Sequence, residues 1–316
     1  MKTRILNPDP QGIAAAADLL AQGELVAIPT ETVYGLAGDA RNPRAVAAIY
    51  EAKGRPAFNP LIVHLPDVAA AGQIAVLDDQ ALALARVFWP GALTLVLPLR
   101  PGAGIASLVT AGLDTVAIRV PALAVARDLL RAFGGPLAAP SANPSGRISP
   151  TAAGHVADAE TGLGGRIAAV LDAGPCPVGV ESTILGWVEG QPALLRPGGI
   201  AAEAIEAVLG RPLARPALNP DAPNAPGQLT SHYAPRARVR LEAVQALPGE
   251  LLIGFGAIAG EMSLSEAGDP AEAAARLFDL LHRADADGRP IAVAPVPETG
   301  LGAAVNDRLR RAAAPR

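Results

Sequence analysis

Short apolar runs, each closed by a polar cluster, constrain this chain more than any other feature. Glu24–Pro29 (ELVAIP), Leu61–Leu65 (LIVHL), Leu93–Leu97 (LTLVL) and Thr115–Val120 (TVAIRV) are rich in β-branched residues and too short for buried helices. Segments with helical spacing lie between them. Asn42 as N-cap, Pro43 at the first helical position and Gly54 after Lys53 bracket a helix over 43–53. Asp78–Phe88 repeats Leu82, Ala85 and Phe88 before Trp89-Pro90-Gly91 stops it, and Leu123–Phe133 ends at Gly134-Gly135. Leu137–Ala139, Ala168–Asp172 and Ser182–Trp187 read as further strands, with helices near Thr151–Ala159 and at Ala201–Leu209. The stretch TETVYGLAGDA after Pro29 reads as a polar loop. Strands alternating with helices are an α/β pattern.

From Arg211 to Pro235 prolines recur without any apolar period, the composition of a semi-extended linker. Beyond it, Glu250–Phe255 (strand), Ala271–His282 (helix), Ile291–Ala294 (strand) and Leu301–Arg311 (helix) predict a small α/β domain with parallel pairing. The length of 316 residues fits two domains. Only 3% of residues are aromatic while 50% are hydrophobic, so the cores must be built from Ala, Val, Leu and Ile.

Mean hydropathy is +0.30, which raises the question of a membrane. The longest uncharged stretch, Ala132–Gly146, carries three prolines and falls short of the roughly 20 apolar residues a spanning helix needs. The opening MKTRILNPDPQG shows no apolar signal core, so a cytoplasmic protein is expected. A single cysteine, Cys176, excludes an internal disulfide and a cysteine-cluster zinc site; between two prolines it reads as a structural thiol. The net charge of −4 argues against a life on nucleic-acid backbone.

The common nucleotide, hydrolase, zincin and thiol-redox motifs (GxxxxGK[ST], GxSxG, HExxH, CxxC) are absent. Gly254-Phe255-Gly256 begins like a dinucleotide fingerprint but continues with the wrong spacing. What remains is polar residues at strand ends. Pro29-Thr30-Glu31-Thr32-Val33-Tyr34-Gly35 reads either as a hydroxyl-capped turn or as a site loop. Among 26 basic residues only Lys2 and Lys53 are lysine. Lys53-Gly54-Arg55 either complements a helix C-terminus or clamps phosphate, a point charge beside a planar fork. His64 reads as a core histidine, and His155 and His282 as ordinary helix residues. Arg119, inside a β-branched strand, must lie at a sheet edge or meet an anion. Small residues, three serines, Asn143 and Arg147 crowd 138–149, and Glu181-Ser182-Thr183 and Leu195–Gly199 repeat the pattern. Several cations and hydroxyls without a catalytic dyad point to a polyanionic substrate in a sheet cleft, with chemistry by positioning and charge neutralisation.

In combination, PTETVYGL, KGRP with Asn59 and His64, FWPGALTLVLP, TVAIRVP, APSANPSGRISPT, GVESTIL and LRPGGI resemble the YrdC-type threonylcarbamoyl-AMP synthase family, in order over about residues 10–209. GQLTSHYAPR and the segment after it are similar to the longer, two-domain Sua-type members. The resemblance implies a YrdC-like twisted mixed sheet with a concave cleft over residues 1–209. It implies a lid-forming linker at 210–235 and a small Rossmann-like domain at 236–316. It further implies that L-threonine, bicarbonate and ATP give threonylcarbamoyl-AMP and pyrophosphate, for threonylcarbamoyladenosine formation in tRNA by downstream transfer proteins. Position by position, Thr32, His64, Arg119, Ala139 and Ser182 would hold threonine. Lys53, Arg55, Asn59, Thr115, Ser141, Asn143, Ser149, Arg196 and Tyr233 would contact ATP or its adenylate, with Lys53 and Arg55 neutralising phosphate charge. Mg2+ would ride on the ATP phosphates, since no protein-only metal cage is visible. The alternatives are an RNA-binding module, which the charge and the scarce aromatics disfavour, and an ATP-sensing regulator without turnover.

Overall fold

The computed structural model describes residues 2–56, 58–216 and 231–315. The larger of two sheets contains β1 (Arg4–Leu6), β2 (Val26–Ile28), β3 (Gly35–Asp39), β4 (Ile62–His64), β5 (Leu93–Pro98), β6 (Thr115–Arg119), β7 (Leu137–Ala138), β8 (Ala169–Leu171), β9 (Thr183–Val188) and β10 (Gln191–Arg196). Their order is β1-β8-β2-β3-β7-β4-β6-β5-β9-β10. Interleaved with them run α1 (Pro10–Ala21), α2 (Pro43–Lys53), α3 (Val68–Ile74), α4 (Asp79–Phe88), α5 (Ser107–Thr110), α6 (Ala124–Phe133), α7 (Ala153–Ala157) and α8 (Ala202–Leu209). The sheet is mixed: β4 and β6 run parallel with His64 beside Arg119, whereas β5 and β6 are antiparallel.

The second sheet is parallel, ordered β11 (Val239–Arg240), β14 (Ile291–Val293), β12 (Leu251–Gly254) and β13 (Met262–Ser263). It carries α9 (Pro270–Asp287) and α10 (Gly302–Ala313). No helix among the described residues is long and apolar enough to cross a membrane.

Local chemistry sets the elements that matter for the cleft. The Asn42 side chain accepts the amides of Arg44 and Ala45, and Pro43 begins α2 with its φ already fixed. Gly54 closes the helix in the left-handed region at φ 59°, which places Lys53 in the last turn with its side chain buried. The segment read as a polar loop is in part the strand β3. Gly35, Ala37 and Gly38 carry no strand propensity, yet they fit a strand enclosed between β2 and β7. β1, α1, α3 and β10 also exceed the sequence expectation, and α9 runs five residues past His282.

The aliphatic core expected from the aromatic scarcity is present, with Leu84, Leu93, Leu95, Val63 and Ile118 fully or almost fully buried in one cluster. Each such side chain contributes roughly 1.5–3 kcal/mol. Ile205 of α8 belongs to this cluster. A second cluster joins Leu277, Phe278 and Leu281 of α9 to Val33, Ile148, Val180 and Tyr233. The second sheet thus docks against the loops at the strand ends of the first. At Gly179 a Cβ would lie 2.4 Å from the Ala274 carbonyl oxygen, so the 178–181 loop meets α9 backbone to backbone.

Candidate active site

The loops following β2, α2, β7 and β8 converge with the strands β4, β6 and β10 on one cavity. Thr32, Arg55, His64, Arg119, Ala139, Ser141, Ser182, Arg196 and Tyr233 all line it, as do Thr30, Val33, Glu181 and His232. Its volume is about 50 Å3, room for a few waters and no more.

Arg119 lies on an interior strand, and its anion is in the chain. Nη2 donates to Glu31 Oε1 at 2.6 Å, Nη1 to Thr32 Oγ1 at 2.7 Å and Nε to the Gly91 carbonyl at 3.2 Å. Three of five guanidinium N–H groups are thereby committed. The Glu31 carboxylate also accepts the Ala122 amide. Burial raises the Glu31 pKa, but the Arg119 charge and hydrogen bond outweigh it, and the net shift is downward. Thr30 donates to the Val33 carbonyl at 2.6 Å, so the 2.8 Å contact between Thr30 and Thr32 has Thr32 as donor. One polarised chain therefore runs from Arg119 through Thr32 and Thr30 to the backbone.

His64 stands beside Arg119 in register. Its Nδ1 lies 3.3 Å from the Ile62 carbonyl, which can only accept, so Nδ1 carries the proton and Nε2 is left as an acceptor. Burial and the Arg119 charge push its pKa down to about 3, keeping the ring neutral. Ser182 shares a hydrogen bond with Thr94 at 2.7 Å, and Arg196 donates to the Ser182 carbonyl. At Gly198 a Cβ would lie 2.4 Å from the Glu181 carbonyl oxygen, so the LRPGGI turn can press on the Glu181–Thr183 backbone only as glycine.

Lys53 does not line the cavity wall. Its Nζ donates to the carbonyls of Ser141 and Asn143 at 2.5 and 2.6 Å, and its own carbonyl accepts the Ser145 amide. Burial and the nearby Arg55 hold its pKa well below the ordinary lysine value. Arg55 faces the cavity while donating to the Asn59 and Pro60 carbonyls, and burial lowers its pKa to about 10. The buried amide oxygens of Asn59 and Asn143 have no hydrogen-bond partner among the described residues. Ser149 donates to Glu181 Oε1 at 2.5 Å. Asn59, Asn143 and Ser149 thus sit with Lys53 behind the wall.

Thr115 is not brought to the site. It opens the strand that Arg119 closes, about 13 Å away at 3.3 Å per residue, and lines a separate groove with Asp78, Gln80, Pro98 and Trp187.

The segment 217–230, most of the expected linker, lies outside the described residues. His232 and Tyr233, which follow it, are buried over the cleft. Tyr233 adopts φ +60°, which costs a non-glycine residue about 1–2 kcal/mol. Its hydroxyl makes no hydrogen bond among the described residues, whereas its amide donates to His232 Nδ1 at 2.9 Å.

Thr30, Glu31 and Glu181 lie in motifs the sequence singles out, but neither they nor His232 had a role assigned to them there. Each is a direct chain neighbour of a residue that had one, or one position further, so a fuller reading of the same motifs would have found them. His155 and His282, expected to be unremarkable, stack on each other at 4.0 Å across the two sheets' helices, a pairing invisible at their separation in sequence.

The comparisons with known proteins cover both sheets. Residues 18–198 match a family model (Sua5, YciO and YrdC) described as "Telomere recombination", and residues 200–314 match one described as "Threonylcarbamoyl-AMP synthase, C-terminal domain". The chain is 44% identical to the threonylcarbamoyl-AMP synthase of Bacillus subtilis, over 96% of this chain and 93% of that protein. It is 43% identical to the synthase of Pyrococcus abyssi, over 95% and 93%. The crystal structure of P. abyssi Sua5 complexed with L-threonine superposes with a TM-score of 0.90 at 39% identity, covering 98% of each chain. Escherichia coli YciO, at 18% identity and a TM-score of 0.53, shares the fold. The chain therefore belongs to the threonylcarbamoyl-AMP synthase family, in its two-domain Sua5 form, a family of adenylyl-transferring enzymes.

Proposed function

We propose that the chain makes L-threonylcarbamoyl-adenylate from L-threonine, bicarbonate and ATP, releases pyrophosphate, and supplies the adenylate to proteins that transfer the threonylcarbamoyl group to tRNA. One observation carries the reading: a buried guanidinium, Arg119, with two N–H groups uncommitted among the described residues, opens onto the same cavity as Arg55 and Arg196. A carboxylate suits the first and phosphates suit the others.

In this reading Arg119 and Thr32 take the threonine carboxylate, and His64 Nε2 and Ser182 meet its amine and hydroxyl. Ala139 leaves room for the methyl group. Arg55, Arg196, Ser141 and Tyr233 contact ATP directly, and Lys53, Asn59, Asn143 and Ser149 do so once the wall gives; Thr115 would be reached only from the groove at the other end of its strand. The unpartnered amide oxygens of Asn59 and Asn143 suit the hydroxyls or amino group of the nucleoside. Residues 1–209 form the catalytic unit, 236–316 the second domain and 210–235 the lid between them. A cytoplasmic location goes with these substrates.

The chemistry balances without a dedicated base dyad. The threonine amine bonds the bicarbonate carbon with loss of water, giving a carbamate. A carbamate oxygen then attacks the α-phosphorus, the bond to the bridging oxygen breaks, and pyrophosphate leaves with its electrons. Lys53 and Arg55 neutralise the charge that builds on the phosphates. Both cleft carboxylates spend their oxygens on protein donors. In this reading magnesium enters as part of the ATP substrate, carried on its phosphates. The carbamate and the mixed anhydride both decompose in water, so the closed His232–Tyr233 segment serves to exclude it.

The test is pyrophosphate release from Mg-ATP with threonine or bicarbonate omitted in turn. Release that needs both is expected; release with neither, or none despite ATP binding, overturns the reading in favour of a nucleotide sensor.

A further inference from the structure

The second sheet reaches the cleft through one side chain. Arg308 lies on α10, near the end of the chain, and its side chain is 0% exposed. Nε donates to Glu181 Oε2 at 2.9 Å, and Nη1 donates to the Pro197 carbonyl at 2.7 Å and to Asp307 at 2.9 Å. The guanidinium carbon stands 5.3 Å from the centroid of the Tyr233 ring. Nη2 is buried without a hydrogen-bond partner among the described residues.

A guanidinium is a costly way to fill a core that a Met or Leu would fill as well. Its contacts are selective instead. Glu181 gives one carboxylate oxygen to Arg308 and the other to the Ser149 hydroxyl, so a single guanidinium sets the 149 loop, the 181 loop and the 197 turn together. It also backs the tyrosine that covers the cavity. That tyrosine holds a left-handed backbone, which persists only where its surroundings impose it. Those surroundings come from the second sheet's helices: Arg308 on one side, Phe278 of α9 at 5.5 Å, and the Arg311 carbonyl accepting the His232 amide.

We propose that Arg308 is a positioning residue for the ATP side of the cleft, through which the C-terminal domain takes part in the reaction by fixing Tyr233 closed and Ser149 in place. The proposal rests on the synthase reading of the cleft. Lysine cannot replace this group, since one ammonium cannot fork between Glu181 and Pro197 while presenting a flat face to a ring.

The test uses R308K and R308M in the full chain, with two readouts. The first needs no turnover: hydrogen exchange at the Ala234 amide, which donates to the Gly146 carbonyl at 2.8 Å, compared with amides of β12 and β14. R308M is expected to speed exchange over 231–236 at least tenfold while the second sheet keeps its protection, and R308K to act in the same direction. The second readout is steady-state kinetics. The KM for ATP should rise about tenfold in both variants with the KM for threonine within twofold, and pyrophosphate released per adenylate formed should increase. Unchanged exchange at Ala234 overturns the proposal whether or not the protein is active. Lost protection throughout the second sheet in both variants also overturns it, making Arg308 a strut of the core. A wild-type protein that releases no pyrophosphate, but whose Ala234 exchange responds to R308M, would refute the synthase reading and support the link between Arg308 and the lid.

Discussion

Arg119 and Glu31 form a buried ion pair, with Nη2 2.6 Å from Oε1 and side chains 4% and 8% exposed. The pair answers two questions at once. It lets an arginine sit inside an interior strand, and it holds the guanidinium plane fixed before any ligand carboxylate arrives. Glu31 is itself held by the Ala122 amide, so the fork cannot swing.

Removing one partner leaves the other charged and buried, the costliest way to break such a pair. Glu31→Ala is expected to lower stability by about 3–5 kcal/mol, and Glu31→Gln by less, because an amide still accepts from Arg119. Chemical denaturation of the three proteins checks this. A loss below about 1 kcal/mol for Glu31→Ala would mean the pair behaves as a surface salt bridge.

Arg119→Lys preserves the charge and loses the fork. Under the synthase reading it raises the KM for threonine about 10- to 100-fold, the equivalent of roughly 1.5–3 kcal/mol for a charged hydrogen bond. The KM for ATP should move little. Equal changes in both constants would remove Arg119 from the threonine side.

Arg119 also shows how far the sequence could be read. Its strand, the helix that delivers Lys53 and the loops around Ser141 and Ser182 follow from local patterns of capping, β-branching and Pro/Gly punctuation, and these bring most of the site residues to one cavity. β3 was hidden because its residues earn strand geometry only from neighbours on both sides. Thr115 lies apart from the cavity because a motif carries residues along without saying which end of a strand meets the cleft. Arg308 left no local signal, for its meaning depends on Glu181, 127 residues earlier.

Tyr233→Phe separates the ring of the lid from its hydroxyl. The ring keeps Arg308 and Phe278, and the hydroxyl has no protein hydrogen bond to lose among the described residues, so stability should stay within about 0.5 kcal/mol. If the hydroxyl contacts ATP, the KM for ATP should rise several-fold. Tyr233→Ala should instead uncouple the reaction, with ATP hydrolysed faster than adenylate accumulates. Tight coupling in the alanine variant would count against a lid.

Acid should unfold this protein in two overlapping stages. The chain has four histidines, and burial holds all of them below the ordinary value of 6.5: His64 and His232 at about 3, His282 at about 4, and His155 in the same direction. A depressed histidine binds its proton more readily in the unfolded chain. Stability is therefore full above pH 6.5 and falls as the pH drops from there toward 3. Glu181 adds a second stage. Burial raises its pKa, but Arg308 and Arg196 outweigh that and hold it at about 2 against 4.5 unfolded. The folded state thus binds fewer protons between pH 4.5 and 2, and stability is lost as the pH falls through that window. The denaturation midpoint should accordingly begin to fall near pH 6.5, before any carboxylate titrates, and steepen below 4.5. His282→Asn should make the upper stage shallower, with His64 and His232 keeping most of it, and leave the lower one, because its ring packs on His155 rather than on Glu181. A midpoint flat from pH 7 to 5 would show that the histidines titrate normally in the folded protein.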